Sequence, residues 1–395
     1  MTLWEDFART APDREVAGYF ERAPEERAGT GIALAFDRAD QVITLDPSTS
    51  LSEIAGNTAR FLRRPRTAVL GYLGFEAFGL VERTLSNGPA GSPFPLGELA
   101  FVEDVRPTRT ARVRRRPVRV RERPRPIRDS LPLPRFRRSV ANLLRAIRSG
   151  EAFQVVLAHR REWDRPDGLL ARATELRASE RFAFFYYLKF GDREIVGASP
   201  ESVAEVRQSR AYVNPIAGTI PTLGRRGRRL PLHRDPKELA EHRMLVDLAR
   251  NDLGSVSRPG SVRLVWEERR ERFARLEHLV SRVGGHLKLG LGPWDVLAAA
   301  FPAGTVSGAP KIRATQLLRQ EERTWRGPYG GAVTCLLPNG NADFALTIRS
   351  AFASGRRLYT AAGAGIVHRS EPDREFEETL SKLDHLEWTL LGETR

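Results

Sequence analysis

The stretch DPKELAEHRMLVDLARND, Asp235 to Asp252, is the one around which the rest of the chain can be organised. It opens as a helix should. Asp235 can accept a hydrogen bond from first-turn amides, Pro236 suits the first helical position, and Glu238 completes a capping-box-like pattern. Glu238 and Glu241 are three apart and share a helix face, which Leu245 and Leu248 continue as apolar positions. Two carboxylates heading a buried stripe are costly unless something cationic meets them, and a hard divalent ion such as Mg2+ takes oxygen ligands. The same pattern also suits a helix on which Glu238 only caps and Glu241 is solvated.

The last stretch mirrors this one. SEPDREFEETLSKLDHLEWTLLG predicts a helix from about Pro372 to Leu391, stopped by Gly392. Glu375, Glu378 and Lys382 stand at i, i+3 and i+7, on one face. Two helices that each offer a Glu pair make a four-carboxylate Mg2+ site, with Lys382 beside it for an anionic ligand. Read alone, the stretch is equally a surface helix with Glu–Lys pairs worth a few tenths of a kcal/mol each.

Between and before these helices the chain is rich in strands. GIALAFD from Gly31 and QVITLD from Gln41 read as strands, and TAVLGYLGFEAFGLVE, Thr67 to Glu82, as strand, turn and helix. A helix from about Arg135 to Arg148 ends at Ser149-Gly150. In GEAFQVVLAHRREW, alternation puts Phe153, Val155 and Leu157 on one face and Gln154 and Val156 on the other. RFAFFYYLKF and REIVGASPES follow as strands, leaving the carboxylate of Glu201 just past a strand end. SVAEVRQSRAYVNPIAGTIP reads as a hairpin-like pair before the basic loop TLGRRGRRL. SVRLVWEERR, RFARLEHLVSRVGGHLKL, GPYGGAVTCLLP, NADFALTIRSAFAS and RLYTAAGAGIVH complete the strands, with short helices at GPWDVLAAAF and IRATQLLRQEE. The expected division is an N-terminal segment, 1–130, closing in an Arg/Pro-rich stretch, and a second unit, 131–395.

Composition narrows the function class. The 395 residues are enough for a large core, and no run of about 18 apolar residues suggests a membrane span. The first residues carry no secretory or transit pattern, so the expected compartment is the cytoplasm. One cysteine, Cys335, excludes an internal disulfide and a Cys-cluster metal site. The net charge of +15 invites a nucleic-acid reading. Against it, the cations are overwhelmingly Arg and scattered. The one dense block, Arg106 to Asp129, alternates Val and Arg around Val113, Val118 and Val120 and carries no aromatic residue on which a base could stack. A solvated edge strand and linker is the preferred reading, and nucleic acid is not an expected partner. AAGAGIV lacks the third glycine of a dinucleotide fingerprint, VSGAPK has the wrong spacing for a phosphate loop, and no G-x-S-x-G occurs. Glycines 363 and 365 do allow close approach of backbone amides to an anion.

Taken together, AFQVVLAHR, GASPES, PIAGT, the Asp235 stretch, RLEHLVSRVGG, FPAGTVSGAPK, GPYGGAV, TIRSA and AGAGIVHRSEPDREFEETLSK resemble, in order and over about 150–385, the chorismate-utilising enzymes. That family includes anthranilate synthase component I, aminodeoxychorismate synthase component I, isochorismate synthase and salicylate synthase. GYLGFEAFGLVE is similar to the N-terminal region of the anthranilate branch. The resemblance implies an α+β fold of large layered antiparallel sheets with helices outside and the site in a cleft. It implies chorismate as substrate, with its ring carboxylate on Mg2+ held by Glu241 and Glu378 and supported by Glu238 and Glu375. Lys382 and the backbone at Gly363, Ala364 and Gly365 would anchor carboxylates. Tyr329 and Arg349 would hold the enolpyruvyl carboxylate, Glu201 would protonate the departing C4 hydroxyl, and His278 and Thr305 would line the ring and assist. Gln154 and the Ala217, Gly218 and Thr219 of PIAGT would also face substrate.

Two positions sort the reaction within the resemblance. Water-adding members resemble one another in carrying a Lys where this chain has Gln154, which cannot act as a general base. The para-aminating branch typically has a nucleophilic Lys where this chain has Ala217. Amination at C2 by ammonia, then pyruvate elimination to anthranilate, is therefore the reading the resemblance implies, with a role in tryptophan biosynthesis and ammonia from a separate glutamine amidotransferase subunit. A 2-amino-2-deoxyisochorismate synthase that keeps the enolpyruvyl group, a para-aminating or water-adding relative, and a non-catalytic binding protein are the alternatives. Two features depart from the family: Asn214 precedes PIAGT where the anthranilate branch usually has Arg, and no LLES-like stretch marks a tryptophan feedback site.

Overall fold

The computed structural model describes residues 2–24, 31–85, 91–110, 125–221, 236–273 and 276–392. Among these, the strands form two ten-stranded sheets in which every pairing is antiparallel. The first sheet runs Gly308–Ala309, Gln154–Asp164, Arg357–Ile366, Ser350–Ser354, Arg193–Ser199, Phe184–Phe190, Val16–Arg22, Gly31–Phe36, Thr108–Thr110, with Arg128–Asp129 also on Gln154–Asp164. The second runs Ile216–Pro221, Leu276–His286, Arg210–Val213, Ser202–Arg207, Ala342–Leu346, Ala332–Leu336, Ala68–Leu73, Gly97–Val102, Gln41–Leu45, with Arg263–Phe273 also on Leu276–His286. This is the α+β architecture of layered antiparallel sheets expected from the sequence.

The strands are apolar on both faces because both faces are covered. In Phe184–Phe190, Phe184, Tyr186 and Leu188 enter the core between the sheets with Tyr72, Val333 and Phe352. Phe185 and Tyr187 face the other way, into a core with Trp4, Phe7, Leu176, Leu386 and Leu390 from the outer helices. Beyond the second sheet, Val246, Ala249 and Leu253 of the Pro236–Val256 helix pack with Trp294 and Leu297 of Pro293–Ala300. The order is thus helix, sheet, sheet, helix. No helix among the described residues is long and apolar enough to cross a membrane.

The expected helix over the last residues is observed as Pro372–Leu391, with Gly392 as its C-cap, and the central one begins at Pro236. Asp235, Val113, Val118, Val120 and the TLGRRGRRL loop lie outside the described residues. Phe153 is a correction. Alternation gives it one face with Val155 and Leu157, yet the strand begins one residue later, at Gln154, and Phe153 is 72% exposed where those two are buried. The helical part of the Thr67 to Glu82 stretch is a short 3-10 helix, Phe75–Leu80. Strands from before residue 131 are built into both sheets, so the N-terminal segment shares its cores with the rest of the chain.

Candidate active site

Glu201 occupies the turn between Arg193–Ser199, in the first sheet, and Ser202–Arg207, in the second. A chain that changes sheets here must leave a short link between the layers, and that link carries the carboxyl inward. Glu201 is 7% exposed, and the Thr305 hydroxyl donates to its Oε1 at 2.7 Å. Burial pushes its pKa up to about 8, against the opposing pull of the Thr305 hydrogen bond and of the Lys382 charge. Such a carboxyl holds a proton at neutral pH and can give it up to a leaving group.

Lys382 reaches the same region from the C-terminal helix. Its ammonium donates to the Gly363 carbonyl at 2.8 Å and pairs with Glu378 at 2.7 Å. Beside Gly363 stands buried Tyr329, whose phenol pKa burial raises to about 12. Arg349 donates from Nη1 to the Lys382 carbonyl. Its guanidinium is desolvated, which lowers its pKa, and feels Glu180, Tyr329 and Glu378. Arg349 also holds φ of 52°, a left-handed conformation that a non-glycine residue keeps only where its surroundings impose it.

A second group adjoins this one along Arg357–Ile366. Gln154 Nε2 donates to Glu241 Oε1 at 2.8 Å. A carboxylate only accepts, so the amide orientation is set, and Gln154 Oε1 is left buried without a partner. Gly365 makes the approach possible, since a Cβ there would lie 2.6 Å from Gln154 Nε2 and 3.8 Å from Glu241 Oε1. A Cβ on Gly363 would lie 3.2 Å from the Tyr329 oxygen. Ala364, between them, turns its methyl to the opposite face, into the core with Val155 and Leu157. Glu241 is further placed by its neighbour His242, whose Nε2 lies 2.6 Å from Ser281 Oγ on the Leu276–His286 strand. In the sequence that histidine is indistinguishable from any polar residue of a helix.

Ten of the residues expected from the sequence therefore form one continuous constellation: Glu201, Thr305, Lys382, Glu378, Gly363, Tyr329, Arg349, Gly365, Gln154 and Glu241. His278 is buried on Leu276–His286, one residue before Leu279, which is in register with Ala217. Glu375 is buried on the C-terminal helix. The side chains of Ala217, Gly218, Thr219 and Glu238 lie outside the described residues. Asn214 donates to Glu205 Oε1 at 2.6 Å and Ser202 Oγ at 3.1 Å, and with Glu201 and Thr305 it lines a cavity of about 30 Å3, room for one water-sized molecule. A wider cleft of about 820 Å3 near Arg165, Gly168 and Lys189 includes none of these residues.

The donor set for a metal is oxygen only, the chemistry of a hard cation. Among the described residues no three His, Cys, Asp or Glu side chains are placed to hold an ion by themselves. Mg2+ does not ask for that. It usually takes one or two carboxylates and completes its shell with substrate oxygens and water. Glu241, whose partner Gln154 leaves Oε1 buried and unpartnered, and Glu378, paired with Lys382, are each oxygen donors of the kind such a partial shell uses.

A family profile described as chorismate binding enzyme matches residues 17–387. The chain is 46% identical over 244 residues to anthranilate synthase component 1 of Methanothermobacter marburgensis, a match covering 60% of this chain and 52% of that protein. The chain thus spans about half the length of that relative. The crystal structure of anthranilate synthase component I from Streptococcus pneumoniae TIGR4 superposes with a TM-score of 0.77 at 27% identity, covering 92% of this chain and 93% of that one. MenF, the menaquinone-specific isochorismate synthase of Escherichia coli, shares the fold with a TM-score of 0.74 at 18% identity, over 99% and 91% of the two chains.

Proposed function

The chain belongs to the chorismate binding enzymes, and on that premise we propose that it aminates chorismate at C2 with ammonia and eliminates pyruvate to give anthranilate. The observation that carries this reading is the buried Glu201, which burial keeps protonated at neutral pH within the field of the Lys382 ammonium, together with Gln154, an amide, where the water-adding members carry a Lys. Ammonia adds at C2, both ring double bonds shift, to C1=C6 and C4=C5, and the C4–O bond breaks, while the added nitrogen gives up a proton to solvent. Hydroxide leaves poorly, so the Glu201 proton goes to the C4 oxygen and water departs. Loss of the C2 proton with cleavage of the C3–O bond then makes the ring aromatic and releases pyruvate as its enol. Arg349, Tyr329 and Lys382 hold the substrate carboxylates, and the Arg fork suits a planar anion. Bound Mg2+ would supply charge neutralisation at the ring carboxylate, with Glu241 and Glu378 as its protein ligands. Water addition finds no support here, because Gln154 Nε2 is committed to Glu241 and an amide has no basic lone pair to activate water.

Ammonia would come from a separate glutamine amidotransferase. In support, Cys335, the one cysteine of the sequence, lies in the Ala332–Leu336 strand with 1% exposure, and burial raises its thiol pKa. It is therefore unsuited to be a glutaminase nucleophile. The cytoplasm is the fitting compartment for such an enzyme.

The test is mass spectrometry of the products formed from chorismate, Mg2+ and ammonium. Anthranilate with pyruvate is expected. An aminated product that retains its enolpyruvyl group would move the assignment to 2-amino-2-deoxyisochorismate synthesis, and isochorismate or salicylate would refute the role given to Gln154. For the metal, Glu378→Gln is expected to raise the Mg2+ concentration for half-maximal activity about tenfold while preserving side-chain shape, the loss typical of one ligand or its close support. An unchanged Mg2+ titration would remove Glu378 from the metal shell.

A further inference from the structure

The Gly71–Gly79 motif of the N-terminal segment, GYLGFEAFG, is not absorbed by the constellation above, yet it meets it. Glu76 Oε1 accepts the backbone N–H of Arg326 at 2.7 Å, and its Oε2 accepts that of Gly327 at 3.0 Å. In return the Phe75 N–H donates to the Gly327 carbonyl at 2.7 Å. The fit leaves no room for side chains on either strand of the contact. A Cβ on Gly74 would lie 2.9 Å from the Gly327 oxygen, and one on Gly331 would lie 2.0 Å from the Leu73 oxygen. Gly327 and Gly330 hold φ of 60° and 74°, so the segment leading into and out of Tyr329 is bent as only glycine readily allows.

Arg326 is the other half of the device. It is 5% exposed, and its guanidinium is fully engaged. Nη1 donates to the Val306 carbonyl at 2.6 Å, Nη2 to the Val156 carbonyl at 2.8 Å, and Nε and Nη2 grip Glu322 at 2.8 and 2.6 Å. Its carbon lies 4.3 Å from the Phe75 ring centroid and 5.9 Å from that of Tyr329. Val306 follows Thr305, the partner of Glu201. Val156 lies two residues past Gln154. Glu322 also accepts the Ala158 N–H at 3.0 Å.

We infer that Glu76 and Arg326 form a buried clamp that positions the substrate site: Glu76 fixes the backbone that presents Tyr329, and the Arg326 fork fixes the Thr305 loop and the Gln154 strand against it. The N-terminal segment is then part of the catalytic apparatus, although none of its side chains reacts. Both are positioning residues. The inference rests on the reading of Tyr329, Thr305 and Gln154 as substrate-site residues. A charge that makes several buried hydrogen bonds at once locks the groups it joins more firmly than separate neutral bonds would.

The test is Glu76→Gln, which keeps the shape but turns one acceptor oxygen into an NH2 facing an N–H. Hydrogen exchange needs no ligand. Faster exchange is expected in peptides covering 303–307 and 324–331, with the rest of the chain unchanged and the thermal midpoint lowered by no more than about 5 °C. In turnover, KM for chorismate is expected to rise about tenfold with kcat within about threefold. In a Tyr329→Phe background the same substitution should change KM less than about twofold, because two lesions in one contact do not add. Unaltered exchange, exchange raised throughout the chain, or an equal KM effect in both backgrounds would each overturn the clamp. Wild-type protein that neither binds nor converts chorismate would defeat the proposed function, and the exchange pattern would still decide the clamp.

Discussion

Glu201→Gln is expected to cut turnover by at least about 10³ while chorismate still binds within about threefold of its normal affinity. The size follows from what a positioned acid contributes, about 10²–10⁴, and from a leaving group that needs its proton. The carboxamide keeps the shape and can still accept the Thr305 hydroxyl on its oxygen, so the buried contact at 2.7 Å survives. It cannot release a proton. Burial favours a neutral group at this position, as the upward pKa shift shows, so the glutamine should not destabilise the fold. Single-turnover kinetics with a separate binding titration distinguishes the roles. Retained turnover would take Glu201 out of the acid role, and lost binding would make it a substrate-holding residue.

The same group sets the pH behaviour. As an acid Glu201 must be protonated, so kcat/KM is expected to fall as pH rises through about 8. On the other limb ammonium must lose its proton to become a nucleophile, so the ammonia-dependent rate rises with pH before it falls. The profile should be a bell, and Glu201→Gln should abolish its alkaline limb in whatever activity remains. Stability follows the same sign. The folded state binds this proton more tightly than the unfolded chain. The contribution is therefore complete below the ordinary glutamate pKa of 4.5 and is lost as pH climbs through about 8.

Much of this site is legible in the sequence because its residues lie on elements with strong local signals. Pro372 opens and Gly392 closes the C-terminal helix, so the spacing of Glu375, Glu378 and Lys382 can be read before any fold is known. Glu201 announces itself as a carboxylate between two strands, and the glycines at 363 and 365 as places where other groups come close. The helices Leu3–Thr10 and Leu169–Ser179 are not legible in the same way. The first buries Trp4 and Phe7 on one face behind the Thr2–Glu5 capping box, a shorter form of the same signal, and the second opens on left-handed Gly168 with no side-chain cap. Nor could the sequence alone disclose the Glu76 contact, which joins residues 250 positions apart through backbone amides that every residue possesses. The left-handed backbone of Arg349 is hidden for a similar reason, being imposed on a residue type that does not favour it.

That backbone leads to the second large effect. Arg349→Gly is expected to weaken chorismate binding by about 10²–10³, the cost of removing one partner from a buried charge pair, while leaving the unliganded protein as stable as before or more so. Without substrate the guanidinium is an expensive group: desolvation lowers its pKa, and its Nη1 is bonded only to a carbonyl. Glycine removes that cost and also relaxes the strain of φ at 52°. Arg349→Ala loses the same charge but keeps the strain, so it should be less stable than the glycine variant by about 1 kcal/mol, with equally poor binding. Placing each change in the Glu201→Gln background allows the dissociation constant to be measured without turnover. A residue kept for packing would show the opposite pattern, with both variants unstable and binding little changed in the fraction that folds. Equal stability of the glycine and alanine variants would show that the left-handed backbone exacts no cost, and unchanged affinity would show that this arginine does not meet the substrate. If the expected pattern holds, the site keeps a strained, desolvated cation in place because the substrate carboxylate recovers, on binding, what the free enzyme gives up in stability.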